Sequence, residues 1–257
     1  MEYIIISIVA LLASGLTLLS GFGLGSLLMP AFAIFFPAEI AVAMTAIVHL
    51  ANNLFKFVLL GKYANKSVVL KFGIPAIFAA YLGANALLWL ANMQPIYVYE
   101  LFQQPFRVMP VNLAIGAMII VFVIVEFIPG LKNFSISEND LPIGGVFSGF
   151  FGGLSGHQGS IRTIFLLRTG LSKEPFIATG VVIACLIDVS RLFVYRRRFT
   201  AAHFEGNWKL LATAILAAFI GAFIGRQLMK KVTMRGIQIL ISIMLLLLAI
   251  ALCLGFI

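Results

Sequence analysis

Two glycine-rich breaks, Gly21-Phe22-Gly23-Leu24-Gly25-Ser26 and Ser155-Gly156-His157-Gln158-Gly159-Ser160, each interrupt a long apolar stretch and each open the next one. A backbone unwound in hydrocarbon leaves N–H and C=O groups unpaired at several kcal/mol each, so irregular chain survives at membrane depth only against protein or a polar cavity. Glycine permits the conformations of such a break and lets a ligand or another helix come close. The segment after each break begins a helix, whose free N–H groups and positive dipole end favour an anion. Discontinuous helices from two repeats, converging near the bilayer midplane, are how many secondary transporters build a substrate site. The competing use of glycine is tight helix packing, and Gly21/Gly25, Gly145/Gly149, Gly149/Gly153 and Gly221/Gly225 all have small-xxx-small spacing. The last pair reads as packing. Polar Ser, His and Gln among the glycines of 155–160 favour a site there.

That reading requires a membrane, and the composition supplies it. Of 257 residues 62% are hydrophobic and 11% charged, too apolar for a soluble domain and long enough for about eight spans of about 20 residues. The start, Tyr3 to Leu19, lacks a basic n-region and a clear cleavage site and reads as a retained span. A net charge of +9 would suggest nucleic acid in a soluble protein. Here Lys and Arg collect near segment ends, where they meet headgroups, so no nucleic-acid partner is expected. Cys185 and Cys253 lie in apolar runs without metal or disulfide spacing. No cofactor and no metal is expected.

Hydropathy places elements at about 3–36 (broken at 20–26), 38–61, 68–92, 110–130, 142–169 (broken at 155–160), 174–196, 208–229 and 234–256. The expected fold is an all-α integral membrane protein of about eight membrane-embedded helical elements in two similar four-element repeats. The repeat goes beyond hydropathy: aligning Glu39-Ile40-Ala41-Val42-Ala43 with Glu174-Pro175-Phe176-Ile177-Ala178 also brings Asn53 onto Asp188 and Lys56 onto Arg191. With a slightly larger offset, Gly83 meets Gly221. Residues 1–130 form the first repeat, the polar stretch 131–141 the linker, and 142–257 the second repeat. The positive-inside rule leaves parallel and inverted repeats both open, because the basic connections balance either way. In 93–109, Tyr97 and Tyr99 read as interfacial anchors.

A glycine-rich break, an apolar helix, a Pro37-Ala38-Glu39 turn, an Ala/Thr-rich helix from Ala41 to Thr45 and a basic connection, all of it repeated, resemble the sulfite exporter TauE/SafE family. Gly152-Gly153-Leu154-Ser155-Gly156-His157-Gln158-Gly159-Ser160, Gly170-Leu171-Ser172-Lys173-Glu174 and Ala178-Thr179-Gly180 carry the resemblance furthest. His157 and Gln158 stand where the family has part of a glycine run. The resemblance covers nearly the whole chain and implies a multi-pass bacterial inner-membrane carrier of sulfur-containing and organic anions.

Ionisable groups within spans are costly and usually face a cavity or a partner. Asp188, the one acid well inside an expected span, is a coupling or gating candidate with Arg191, Lys56 and His49. Its alternative role is a local i, i+3 pair with Arg191. The candidate substrate-binding set is Gly21, Gly23, Gly25, Ser26, Asn52, Asn53, Ser155, Gly156, His157, Gln158, Gly159, Ser160 and Arg162. Arg162 offers a planar donor fork to a sulfonate or carboxylate, or snorkels to an interface. His157 donates to an anion or bonds a free carbonyl of the break. Asn52 and Asn53 bond between helices or face a polar cavity, and His49 lies roughly on their face. No Walker motif or nucleophile elbow occurs. The leading expectation is a secondary transporter of a small anion, with the lipid bilayer as its surroundings and a homodimer as one option for assembly. A membrane enzyme, a partner subunit without flux and a cation carrier are the alternatives.

Overall fold

The computed structural model describes residues 1–20, 24–101, 103–127, 137–197, 206–228 and 234–257. Ten α-helices occur among these residues: α1 (Glu2–Ser20), α2 (Leu24–Ala33), α3 (Ala38–Leu60), α4 (Lys66–Ala91), α5 (Pro110–Phe127), α6 (Leu141–Ser155), α7 (Gly159–Leu166), α8 (Lys173–Tyr195), α9 (Trp208–Leu228) and α10 (Met234–Leu254). The all-α membrane architecture holds, with each broken element contributing two helices. Helices α3, α4, α8 and α9 are long and apolar enough to cross a membrane, and shorter apolar helices occur at Glu2–Gly15, Leu24–Ala33, Pro110–Ile124 and Ser242–Leu254. Their outer faces carry exposed Val58, Phe78, Leu82, Phe223 and Leu247, as lipid-facing surfaces do.

Local chemistry sets the element ends. Pro37, with ψ near 145°, cannot continue a helix from α2 and starts α3, whose first turn carries Glu39. Asn65 caps α4 by accepting from the Val68 amide at 3.1 Å. Ser137 and Asp140 form a capping box just ahead of α6, and Pro142 sits in its first turn. This local structure occupies the end of the expected 131–141 linker; residues 131–136 lie outside the described residues.

Glycine decides how the helices pack. A Cβ on Gly145, Gly149 or Gly153 of α6 would lie 2.2 Å from the carbonyl oxygens of Phe72, Ala76 and Ala80 on α4, so the two backbones touch along a stripe that has no side chains. Gly83 of α4 presses in the same way on the Phe150 carbonyl. Helices α1 and α9 meet likewise, Gly221 against the Leu11 carbonyl and Gly225 against Gly15. The pairing is reciprocal: α4 packs on α6 and α8, α9 on α1 and α3, while α3 meets α8 and α5 meets α10.

One element differs from an all-helical expectation. Tyr97–Leu101 and Gln104–Val108 form an antiparallel hairpin, with Tyr97 opposite Val108. Alternation places Tyr97, Tyr99 and Phe106 together, their rings stacked 5.6–6.2 Å apart between neighbours, and Phe256 packs edge-on at 5.1 Å. The Tyr99 hydroxyl donates to the Leu254 carbonyl at 2.6 Å and Asn112 Nδ2 to the Ile257 carbonyl at 2.7 Å, fastening residues 254–257 to the hairpin and to α5.

Candidate functional site

The two breaks come together. Gly25, in the first turn of α2, lies so close to the Gly156 carbonyl that a Cβ there would stand 3.0 Å from the oxygen. Gly156 ends α6 with φ 83°, a left-handed conformation that a side chain resists, and it turns the chain so that α7 begins at Gly159. Gly25, Ser26, Ser155, Gly156, His157, Gln158 and Gly159 are all buried, while Ser160 is partly exposed. Gly21 and Gly23 lie outside the described residues.

Beside this junction α3 and α8 cross, and their polar residues face each other. Asp188, with no exposed surface, accepts from three elements. His49 Nδ1 donates to its Oδ2 at 2.6 Å, Gln158 Nε2 to its Oδ1 at 2.8 Å, and Arg191 Nε to its Oδ1 at 3.0 Å. Arg191 Nη2 lies a further 2.7 Å from Oδ1, and Nη1 donates to the Gly152 carbonyl at 3.0 Å. The i, i+3 pair between Asp188 and Arg191 is therefore present, but it belongs to a network anchored on the second break. Gln158 extends it: the amide that donates to Asp188 presents its oxygen to Arg162 Nη1 at 3.0 Å. Ser148 holds the Gln158 carbonyl at 2.9 Å. Arg162 also rests against α8 near Gly180.

The remaining candidates divide by direction. Asn53 Nδ2 donates to the His49 carbonyl at 2.9 Å and lies over the imidazole, so the two side chains share a face. Asn52 turns to α1, where its oxygen accepts from Ser14 at 3.1 Å. His157 donates Nδ1–H to the Ser155 carbonyl at 3.0 Å and stacks on Phe122 of α5 at 6.1 Å, so one ring nitrogen holds a carbonyl freed by the break. Lys56 is buried with 7% exposure, two turns beyond His49 on the same face of α3. Exposed Arg196 and Arg197 lie over the Phe193 ring, with Arg196 Cζ 3.9 Å from its centroid.

Sequence reasoning passed over several residues. Tyr195, one turn beyond Arg191, is fully enclosed and donates its hydroxyl to the Gly153 carbonyl. Thr45 is buried against Gly25 and precedes His49 by one turn, so the stripe Thr45, His49, Asn52/Asn53, Lys56 was its available signal. Thr45 Oγ1, Asn52 Nδ2 and His157 Nε2 have no hydrogen-bond partner among the described residues. No group of three His, Cys, Asp or Glu side chains able to hold a metal occurs among the described residues either.

Membrane-length helices, two interrupted helices that touch at their breaks, and a buried ionic network beside the contact define a helical membrane protein with an internal polar site. The chain belongs to the sulfite exporter TauE/SafE family, a family of membrane transporters whose model matches residues 6–252. No curated protein matches it.

Proposed function

We propose that the protein is a secondary transporter, an exporter, of small sulfur-containing or organic anions such as sulfite, sulfonates or sulfoacetate-like acids, working as a multi-pass protein of the bacterial inner membrane. The observation that carries this reading is the meeting of Gly25 with Gly156 beside the Arg162–Gln158–Asp188–Arg191 chain. Two helix N-termini and guanidinium donors then converge where the backbone has no side chain to exclude a ligand. The family's description as sulfite exporters supports a sulfur oxyanion. Reciprocal packing of α4 on α6 and of α9 on α1 supports two similar halves, 1–130 and 142–257, joined by a linker. In this reading the His49–Asp188 pair couples transport to protons, since a histidine bonded to a carboxylate can take up and release a proton as the site opens.

Thermal stability of the purified protein tests the proposal. Sulfite, sulfonates or carboxylates raise the melting midpoint, and potassium chloride at matched ionic strength does not. Arg162→Ala weakens that effect by about 1.5–3 kcal/mol in binding, whereas Arg196→Ala, at the headgroup level, leaves it unchanged. Stabilisation by a divalent cation alone, or equal losses in the two variants, would count against an anion site at Arg162.

A further inference from the structure

We propose that the site selects a divalent anion over a monovalent anion of the same shape. This rests on the transporter reading above and sharpens it. The buried and half-buried charges around the site do not cancel. Asp188 is the only acid among the described buried residues, and Arg191 holds it through Nε and Nη2. That leaves two cations without a carboxylate of their own. Arg162 commits Nη1 to the neutral oxygen of Gln158, one of the five N–H donors a guanidinium carries. Lys56 is more than nine-tenths buried and makes no hydrogen bond or ion pair among the described residues. It lies two turns beyond His49 on the face of α3 that meets Asp188 of α8, and farther along the Asn65 amide donates to Thr179 Oγ1 at 2.9 Å, so Lys56 comes to the level of Gly180, where Arg162 Nε rests.

Holding buried Lys56 and half-buried Arg162 on one side of the site, with no carboxylate bonded to either among the described residues, is unfavourable where water screens charge poorly. A scaffold that needed only helix packing would place apolar side chains at Lys56 and Arg162. The cost is recovered when a mobile counter-ion enters. A monoanion balances one cation and leaves the second bare, while a dianion balances both. The two donors also differ in kind: a planar fork at Arg162 and a rotatable point charge at Lys56, suited to two oxygens on opposite sides of one ligand.

The test uses two pairs matched in shape and differing by one charge, sulfate with methanesulfonate and sulfoacetate with isethionate. Titration calorimetry on the purified full-length protein at one mildly alkaline pH gives the affinities, with sulfite as the reference ligand. The dianion of at least one pair should bind about ten- to a hundredfold more tightly, the range of one charge-assisted contact. Lys56→Met should abolish that preference while raising the melting midpoint of the empty protein, because it removes a buried unpaired charge; Lys56→Arg should keep the preference. A structural role for Lys56 would lower the midpoint instead. Monoanions that bind as tightly as their dianions overturn the inference and leave the transporter reading standing, and that comparison needs only the wild-type protein. A dianion preference that survives in Lys56→Met overturns the part assigned to Lys56. Failure of sulfite and all four probes to bind overturns the transporter reading itself.

Discussion

Asp188 shows how a single buried charge organises this protein. It accepts from His49, Gln158 and Arg191, which come from α3, the second break and α8. Replacing it with alanine leaves the Arg191 guanidinium uncompensated in the interior, a loss of about 3–5 kcal/mol for a broken buried pair. Asp188→Ala should therefore melt well below the wild type in detergent, and Asp188→Ala/Arg191→Met should recover much of the difference. A double variant no more stable than Asp188→Ala would show that the pair is not the dominant contact. His49 is the cleaner probe of coupling, because His49→Gln keeps the Asp188–Arg191 pair. If the imidazole carries the coupling proton, vesicles containing His49→Gln should still accumulate or release substrate down its own gradient but ignore an imposed pH gradient. A variant that follows the pH gradient as the wild type does would move coupling elsewhere.

Between helices, the contacts are backbone on backbone, so a methyl group is a large change at some glycines and a trivial one at others. A Cβ at Gly149 would sit 2.2 Å from the Ala76 carbonyl, whereas one at Gly180 meets Arg162 Nε at 3.6 Å and Leu166 Cδ1 at 3.7 Å, both ordinary contacts. Gly149→Ala should force α4 and α6 apart and cost about 1–3 kcal/mol, as overpacking does, read as a lower melting midpoint and less folded protein in the membrane. Gly180→Ala should leave both unchanged. Equal behaviour of the two would mean that the stripe of glycines along α6 is not what brings it to α4. The hairpin between α4 and α5 obeys a different rule: its aromatic face is held by ring stacking and by the C-terminal residues, with Gly255 close against the Arg107 carbonyl.

At the scale of the whole molecule, each half lacks what it needs to bury its own glycine stripe. The partner of α4 is α6, and the partner of α1 is α9. A chain of residues 1–136 expressed alone should be degraded or aggregate, and so should 137–257. Produced together, the two should assemble and co-purify, since the break in the chain falls outside every described helix. Stable accumulation of either piece alone would contradict this dependence.

The membrane class, the apolar elements, the two glycine-rich interruptions and the family are legible in the sequence, because apolar length and glycine-polar interruptions are local properties of the chain. The ionisable and amide side chains of the Asp188 network, His49, Gln158, Arg162 and Arg191, also stand out in the sequence by the cost of placing them inside spans, whereas Ser148, which holds the Gln158 carbonyl, does not. What the sequence could not decide was direction. Asn52 and Asn53 are adjacent in the chain, yet one turns to Ser14 on α1 and the other to His49, a choice made by which helix lies on each side. Spacing along one helix allows Asp188 and Arg191 an i, i+3 pair, but it is the approach of α3 and of the second break that brings His49 and Gln158 to the same carboxylate. Tyr195 and Thr45 gained their places only through Gly153 and Gly25 across an interface. Local pattern fixes which residues are buried in a membrane protein, but lipid is as apolar as a helix face, so only the packed tertiary structure selects their partners.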